Sequence, residues 1–485
     1  MNKNVTVFYK KNAEYPNREG CFRPSKIYPE YLFGDEIAKE KNDAYDMVRE
    51  AFHLAEYDKE YFGTKAWNPL KGVVKENDTV VIKPNMVMHK NLSGGPVDCL
   101  YTQPSVVAAV VDYVLIALKG TGKIIIGDAP MQECDFEKLI QDSGYLELFN
   151  YYKSKGINIS LVDFRELRSV VKAGVYHNII NEDAKGTVID LRDESEFAVY
   201  GEEHLKDLRV TNYDPEILVT HHKPGKHEYY VSDYILNADV IINMPKPKTH
   251  RKAGVTISLK NLVGISVRKE YLPHHCNGDV ASGGDEYHNK SYVKKFEAKL
   301  LDKINYASAH KQYKKAFFLK VVKKFNAVFV KLSSDKSREG SWYGNQTISK
   351  TITDLNKIIF YADKKGKLCG EKQRKLLIIA DMIVSGEKEG PVLPSRKEVG
   401  VIAVGDDAVC FDEAIATLMG MDINKIPTIK QVRNMFGEKE LVDKESRAFI
   451  KSNNSSWDGK YIEQLEYADT LQFKPTSGWK GHIEL

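Results

Sequence analysis

The feature that most limits what this chain can fold into is a recurrence of short β-branched runs separated by stretches long enough for a helix. Thr79-Val80-Val81-Ile82-Lys83-Pro84 is the first strong run, and a loop rich in Gly and Asn (His89 to Cys99) follows it. Pro104 then opens a helix whose apolar stripe passes through Val107, Val110, Val111, Val114, Leu115 and Leu118. Proline suits a first helical position because its missing N–H would be unpaired there anyway. Lys123 to Asp128 reads as the next strand, Phe136 to Lys155 as a helix and Ile159 to Asp163 as a third strand. The pattern resumes at Asp239 to Met244, Leu376 to Asp381 and Gly400 to Gly405, with a helix over Val409 to Met419. Buried strands that alternate with helices pair in parallel through right-handed crossovers. The expected fold is therefore α/β, a mostly parallel, doubly wound sheet.

At 485 residues the chain exceeds one simple domain, so further parts are expected around that sheet. They divide as an N-terminal extension packing on the core (1–77), core (78–166), a polar β-rich insertion (167–232), core (233–289), a basic helical insertion (290–340), core (341–424) and a wrapping C-terminal tail (425–485). Between Lys290 and Lys336 the basic insertion carries Lys294, Lys295, Lys299, Lys303, Lys311, Lys314, Lys315, Lys320, Lys323, Lys324 and Lys331 against Glu297, Asp302 and Asp335. Phe317, Phe318, Val321, Val322, Phe325, Val328 and Phe329 crowd its second half. Such a stretch (290–336) either caps the core with solvated lysines or lies on an anionic membrane surface.

A net charge of +4 is small for this size, so a basic partner surface must come from such local clustering. No nucleic-acid recognition motif accompanies the basic residues. The six cysteines form no C-x-x-C pair, which suits free thiols in a reducing compartment. The N-terminus lacks the apolar stretch of a signal peptide, and no run approaches the ~18 apolar residues of a spanning helix. A cytoplasmic protein is expected.

In parallel α/β folds, ligands bind outside the carboxyl ends of the strands. Here those ends carry Lys83-Pro84-Asn85, Gly127-Asp128-Ala129-Pro130, the run from Asn243 to His250, Asp381 with Ser385-Gly386-Glu387, and Gly405-Asp406-Asp407. The richest is Pro245-Lys246-Pro247-Lys248-Thr249-His250. Two prolines stiffen an extended segment, so Lys246 and Lys248 can project on one side toward a phosphate or carboxylate. Gly254 to Leu262 reads as a helix whose N-terminus would add backbone donors. Lys83, Asn85, Asn243, Lys246, Lys248, Lys260 and Asn261 are the ligand-binding candidates. His250 and His274 are the candidates for moving a proton, with Asp128 and Asp381 as catalytic carboxylates.

Asp381, Glu389 and Asp412 could hold a divalent ion, for which Mg²⁺ and its preference for oxygen ligands is the natural choice. The alternative is ordinary turn chemistry, since Asp and Gly dominate turns. Pro273-His274-His275-Cys276, with Asp279, Asp285, Glu286 and His288, has metal-like composition, but its spacing matches no standard zinc pattern. A polar loop over the pocket is the simpler reading of that segment.

Several runs resemble the bacterial and archaeal domain-of-unknown-function family 362. They are V-V-I-K-P-N (Val80 to Asn85), I-I-G-D-A-P (Ile125 to Pro130), I-I-N-M-P-K-P-K-T-H (Ile241 to His250) and S-L-K-N-L-V-G-I (Ser258 to Ile265). W-Y-G-N (Trp342 to Asn345), I-V-S-G-E-K-E-G-P (Ile383 to Pro391) and the Asp412 to Gly420 helix add to the resemblance. It implies an α/β fold and, through a longer subgroup, a link to surface-polysaccharide genes, but it supplies no reaction. Some members carry a ferredoxin-like module with repeated C-x-x-C; this chain has none, so no iron–sulfur cluster of its own is expected.

The function expected from these readings is an enzyme acting on an anionic, phosphorylated or carboxylated metabolite, with a sugar-derived one in view. The alternative is a non-catalytic binding, scaffolding or redox-accessory subunit.

Overall fold

The computed structural model describes residues 2–18, 20–331 and 337–485; the end of the basic stretch, 332–336, lies outside the described residues. The main sheet runs from edge to edge as Lys460–Tyr461, Arg447–Ser452, Asn2–Tyr9, Leu393–Gly405, Lys375–Glu389, Val240–Met244, Thr79–Pro84, Lys123–Asp128 and Ile159–Asp163. The last five strands are mutually parallel, as the alternation of strands and helices predicts. Leu393–Gly405 pairs antiparallel with both of its neighbours, which makes the sheet mixed.

Side chains of these strands alternate between two apolar cores. Val81, Ile125, Ile241 and Ile378 face one core, and Val80, Ile124, Ile242 and Leu377 face the other. Thr347–Tyr361 and Ala408–Leu418 cover the first face, and Asp43–Leu54 and Pro104–Leu118 the second. Pro104–Leu118 buries every residue except Ile116, because it is sandwiched between the sheet and Asp43–Leu54. Its sequence is accordingly apolar on nearly all sides. Each fully buried Val or Leu there contributes roughly 1.5–3 kcal/mol.

Four expectations need correction. Residues 1–77 do more than pack on the core: Asn2–Tyr9 enters the sheet, and the C-terminal tail supplies its parallel neighbour Arg447–Ser452. The strand expected to end at Asp381 runs on as far as Glu389, in a long hairpin with Leu393–Gly405. The helix over Phe136 to Lys155 is two helices, broken where Gly144 adopts a φ of 95° that other residues rarely take. Gly254–Thr256 is a strand paired with Lys248–His250, and the helix that follows is only Ser258–Asn261. The β-branched Val255, Thr256 and Ile257 explain that choice.

The polar insertion forms a hairpin (Leu167–Lys172 with Val175–Ile180) and a three-stranded sheet (Gly186–Asp190, Lys226–Ser232, His222–Lys223). The basic insertion is a pair of helices, Tyr292–Ala309 and Tyr313–Lys331. Among the described residues, no helix is long and apolar enough to cross a membrane.

Candidate functional site

The carboxyl ends of Thr79–Pro84 and Lys123–Asp128 open onto one cavity of about 150 Å³. Lys83, Asn85, Asp128, Lys248, His250, Lys260, Asn261 and His274 all line it, so eight sequence-predicted residues share one site. The hairpin made by Lys248–His250 and Gly254–Thr256 brings His250, Arg251 and Lys252 over the strand ends. Lys269 and the loop Val210 to Tyr213 complete the wall.

A chain of amides fixes the floor. Asn261 Nδ2 donates to Asn243 Oδ1 at 2.7 Å, and Asn85 Nδ2 donates to Asn261 Oδ1 at 2.8 Å. Lys248 Nζ then donates to Asn85 Oδ1 at 2.7 Å and to the Leu100 carbonyl at 2.6 Å. Asn243 lies beneath the cavity and anchors this chain by donating to the Ser258 carbonyl at 3.0 Å.

Asp128 Oδ1 meets Lys83 Nζ at 2.7 Å and accepts from the Ala129 amide; Oδ2 accepts from the Met86 amide at 2.6 Å. The carboxylate is thus held by three donors, and it orients Lys83 and two loops. Gly264 is required beside it, since a Cβ there would lie 1.9 Å from Asp128 Oδ1 and 2.8 Å from Lys83 Nζ.

The other cations have no such partner. Lys269 donates to the carbonyls of Ala129 and Pro130, and Lys252 to Thr211 Oγ1 and the Glu339 carbonyl. Among the described residues, Lys260 lines the cavity without a hydrogen bond or ion pair, and none of Lys248, Lys252, Lys260 and Lys269 has a carboxylate partner. Burial disfavours their charged forms. It brings Lys248, Lys252 and Lys269 down to about 7, with Lys246 adding to the fall at Lys248. Burial and the nearby Lys83 bring Lys260 to about 8. Lys83 is also lowered by burial, against the pull of Asp128.

The two histidines differ in tautomer. His250 Nδ1 accepts from the amides of Lys252 and Ala253, both at 3.1 Å, so its proton sits on Nε2. His274 Nδ1 lies 2.7 Å from the Leu272 carbonyl, which can only accept, so its proton sits on Nδ1 and Nε2 carries a lone pair. Burial and neighbouring cations, Lys260 for His250 and Lys252 for His274, hold both well below the usual imidazole range. Both are neutral near pH 7.

The remaining candidates lie elsewhere. Lys246 does not project beside Lys248: its Nζ sits 3.0 Å from Asp381 Oδ2 and 2.6 Å from the Tyr15 hydroxyl, fully buried. Asp381 also accepts from Tyr15 and from the Gln103 amide, so it ties the N-terminal segment to the sheet. A buried carboxylate needs a cation, and Lys246 is spent on it. Asp412 accepts from the Ser258 and Leu259 amides and from the Ser258 hydroxyl, so the first amides of Ser258–Asn261 are not available to a ligand. Glu389 is exposed and accepts from the Ser477 amide. The three carboxylates therefore share no site, and among the described residues no group of three or more His, Cys, Asp or Glu is arranged to hold a metal ion. Asp285 likewise accepts from Cys276, Gln346 and Thr347.

Sequence reasoning missed Lys252, Lys269, Arg251 and the loop Val210 to Tyr213. Arg251 and Lys252 directly follow His250, in the gap between the run ending there and the one opening at Gly254. Lys269 and the loop from the polar insertion carry no local pattern that marks them.

Fold and site together define an α/β protein with a cation-lined cavity at the carboxyl ends of its parallel strands. The chain belongs to the domain-of-unknown-function family 362 (DUF362), whose model matches residues 80–184 and 200–417. Those two segments hold every residue named in the cavity wall. No curated protein matches the chain.

Proposed function

We propose that the cavity binds a multiply charged anion, a phosphorylated or carboxylated metabolite, and that the protein is an enzyme acting on it. The observation that carries this reading is the lysine set. Lys83, Lys248, Lys252, Lys260 and Lys269 line one cavity with Asp128 and Glu133 as its carboxylates, and Asp128 is already bonded to Lys83. Buried ammonium groups without counter-charges are costly, and a bound anion with two or more charges offsets that cost.

The histidines support chemistry beyond binding. With its proton on Nε2 and Nδ1 occupied, His250 serves as a neutral hydrogen-bond donor to developing negative charge. His274, with a lone pair on Nε2, is the group able to accept a proton from a bound hydroxyl or an acidic carbon. Asp128 acts by holding Lys83.

A thermal-shift screen of phosphosugars, nucleotides and di- and tricarboxylates tests the reading. The protein should be stabilised by at least one class, and Lys260→Met should lose that stabilisation. Lys260→Met should also raise the midpoint of the ligand-free protein, because it removes a half-buried charge that has no partner. Equal stabilisation of both proteins by every anion would refute the assignment.

A further inference from the structure

The helix Tyr313–Lys331 carries Phe317, Phe318, Val321, Phe325, Val328 and Phe329. Their spacing of three and four residues puts them on one face, and all six are exposed, Phe318 at 67% and Phe325 at 71%. The opposite side holds the buried Ala316 and Val330. The apolar stripe thus faces solvent, the reverse of a helix that caps a core. The companion helix Tyr292–Ala309 adds the exposed Tyr292 (78%) and Phe296. Lys320, one turn on from Ala316, reaches the Tyr176 ring of the neighbouring hairpin, whose Val175 packs against Ala316, so the helix is held by the side away from its stripe.

Aromatic surface of this extent marks a contact site. Its charge selects the partner. Between Tyr292 and Val330 the sequence holds ten lysines against Glu297 and Asp302, and Lys314, Lys315 and Lys324 are exposed on or beside the stripe. Two copies meeting here would oppose lysines to lysines. We infer that this helix pair docks on an anionic lipid surface, with the phenylalanines entering the acyl boundary and the lysines meeting headgroup phosphates. Neither helix crosses the bilayer; both lie in its plane. Arg209 pairs with Asp302 of the first helix and directly precedes the loop Val210 to Tyr213, so the docked surface adjoins one wall of the cationic cavity.

Co-sedimentation of the full chain with vesicles tests this. Vesicles of phosphatidylcholine with phosphatidylglycerol should capture the protein, pure phosphatidylcholine should not, and added salt should release it. The pair Phe318→Asp and Phe325→Asp should weaken capture by about tenfold or more while leaving the thermal midpoint unchanged, since both side chains are exposed. Absence of capture by the anionic vesicles, or equal capture of the variant, would overturn the inference. So would a concentration-dependent dimer in sedimentation velocity that the same substitutions abolish.

Discussion

At the scale of single residues, the site depends on how closely Gly264 approaches the Lys83–Asp128 pair. A methyl group at that position would occupy the space of Asp128 Oδ1, so the ion pair must move or the backbone must shift. Gly264→Ala is expected to cost about 1–3 kcal/mol of stability, the usual range for overpacking. Because Lys83 lines the cavity, the same change should also weaken anion binding. Denaturant unfolding and a ligand titration of the one variant check both, and unchanged values in both would contradict the close approach. The histidines make a related point: their roles follow from which ring nitrogen the backbone occupies, which no sequence pattern encodes.

At the scale of elements, the strands and helices of the parallel core were legible because burial writes itself into composition. Val80 to Ile82, Ile124 to Ile126 and Val240 to Ile242 are apolar on both faces because helices cover both. The strands at the far side were not legible as members of the sheet. Asn2–Tyr9 and Arg447–Ser452 pair across nearly the whole length of the chain, and local periodicity carries no record of such a partner. The run Gly254 to Leu262 was misread because its apolar residues fit either period, and the β-branched Val255, Thr256 and Ile257 decide it. The short helix Ser258–Asn261 that follows is held by Asp412 from another helix. Asp412→Ala leaves the Ser258 and Leu259 amides unpaired in the core, while the Ser258 hydroxyl keeps the Ala408 carbonyl, at a cost of about 2–4 kcal/mol. A marked fall in the thermal midpoint is the expected result, and a change of a degree or less would show that the contact is dispensable.

At the scale of the whole molecule, the cavity was half legible. Residues at the ends of parallel strands could be singled out because the fold class places ligands there, and Lys83, Asn85, Asp128, Lys248 and His250 do converge. Lys246 and Asp381 satisfied the same rule and were used for an internal ion pair, because facing of a side chain depends on its packing neighbours. Lys269 and the Val210 to Tyr213 loop arrive from parts of the chain with no pattern of their own. The assembled site makes a prediction that belongs to the ensemble of lysines. Free, Lys248, Lys252 and Lys269 titrate near 7 and Lys260 near 8, all lowered by burial. A bound anion favours the protonated forms and raises them, so binding takes up protons. Affinity is then greatest below about pH 7 and falls as pH rises through 7 to 8, a range in which a site of ordinary lysines would stay fully charged and show no change. Isothermal titration with sulfate, an anion that does not itself titrate in this range, measures the uptake directly when run at pH 8 in two buffers of different ionisation enthalpy. The account predicts net proton uptake that shrinks in Lys260→Met; binding with no proton exchange, or no sulfate binding at all, would contradict it.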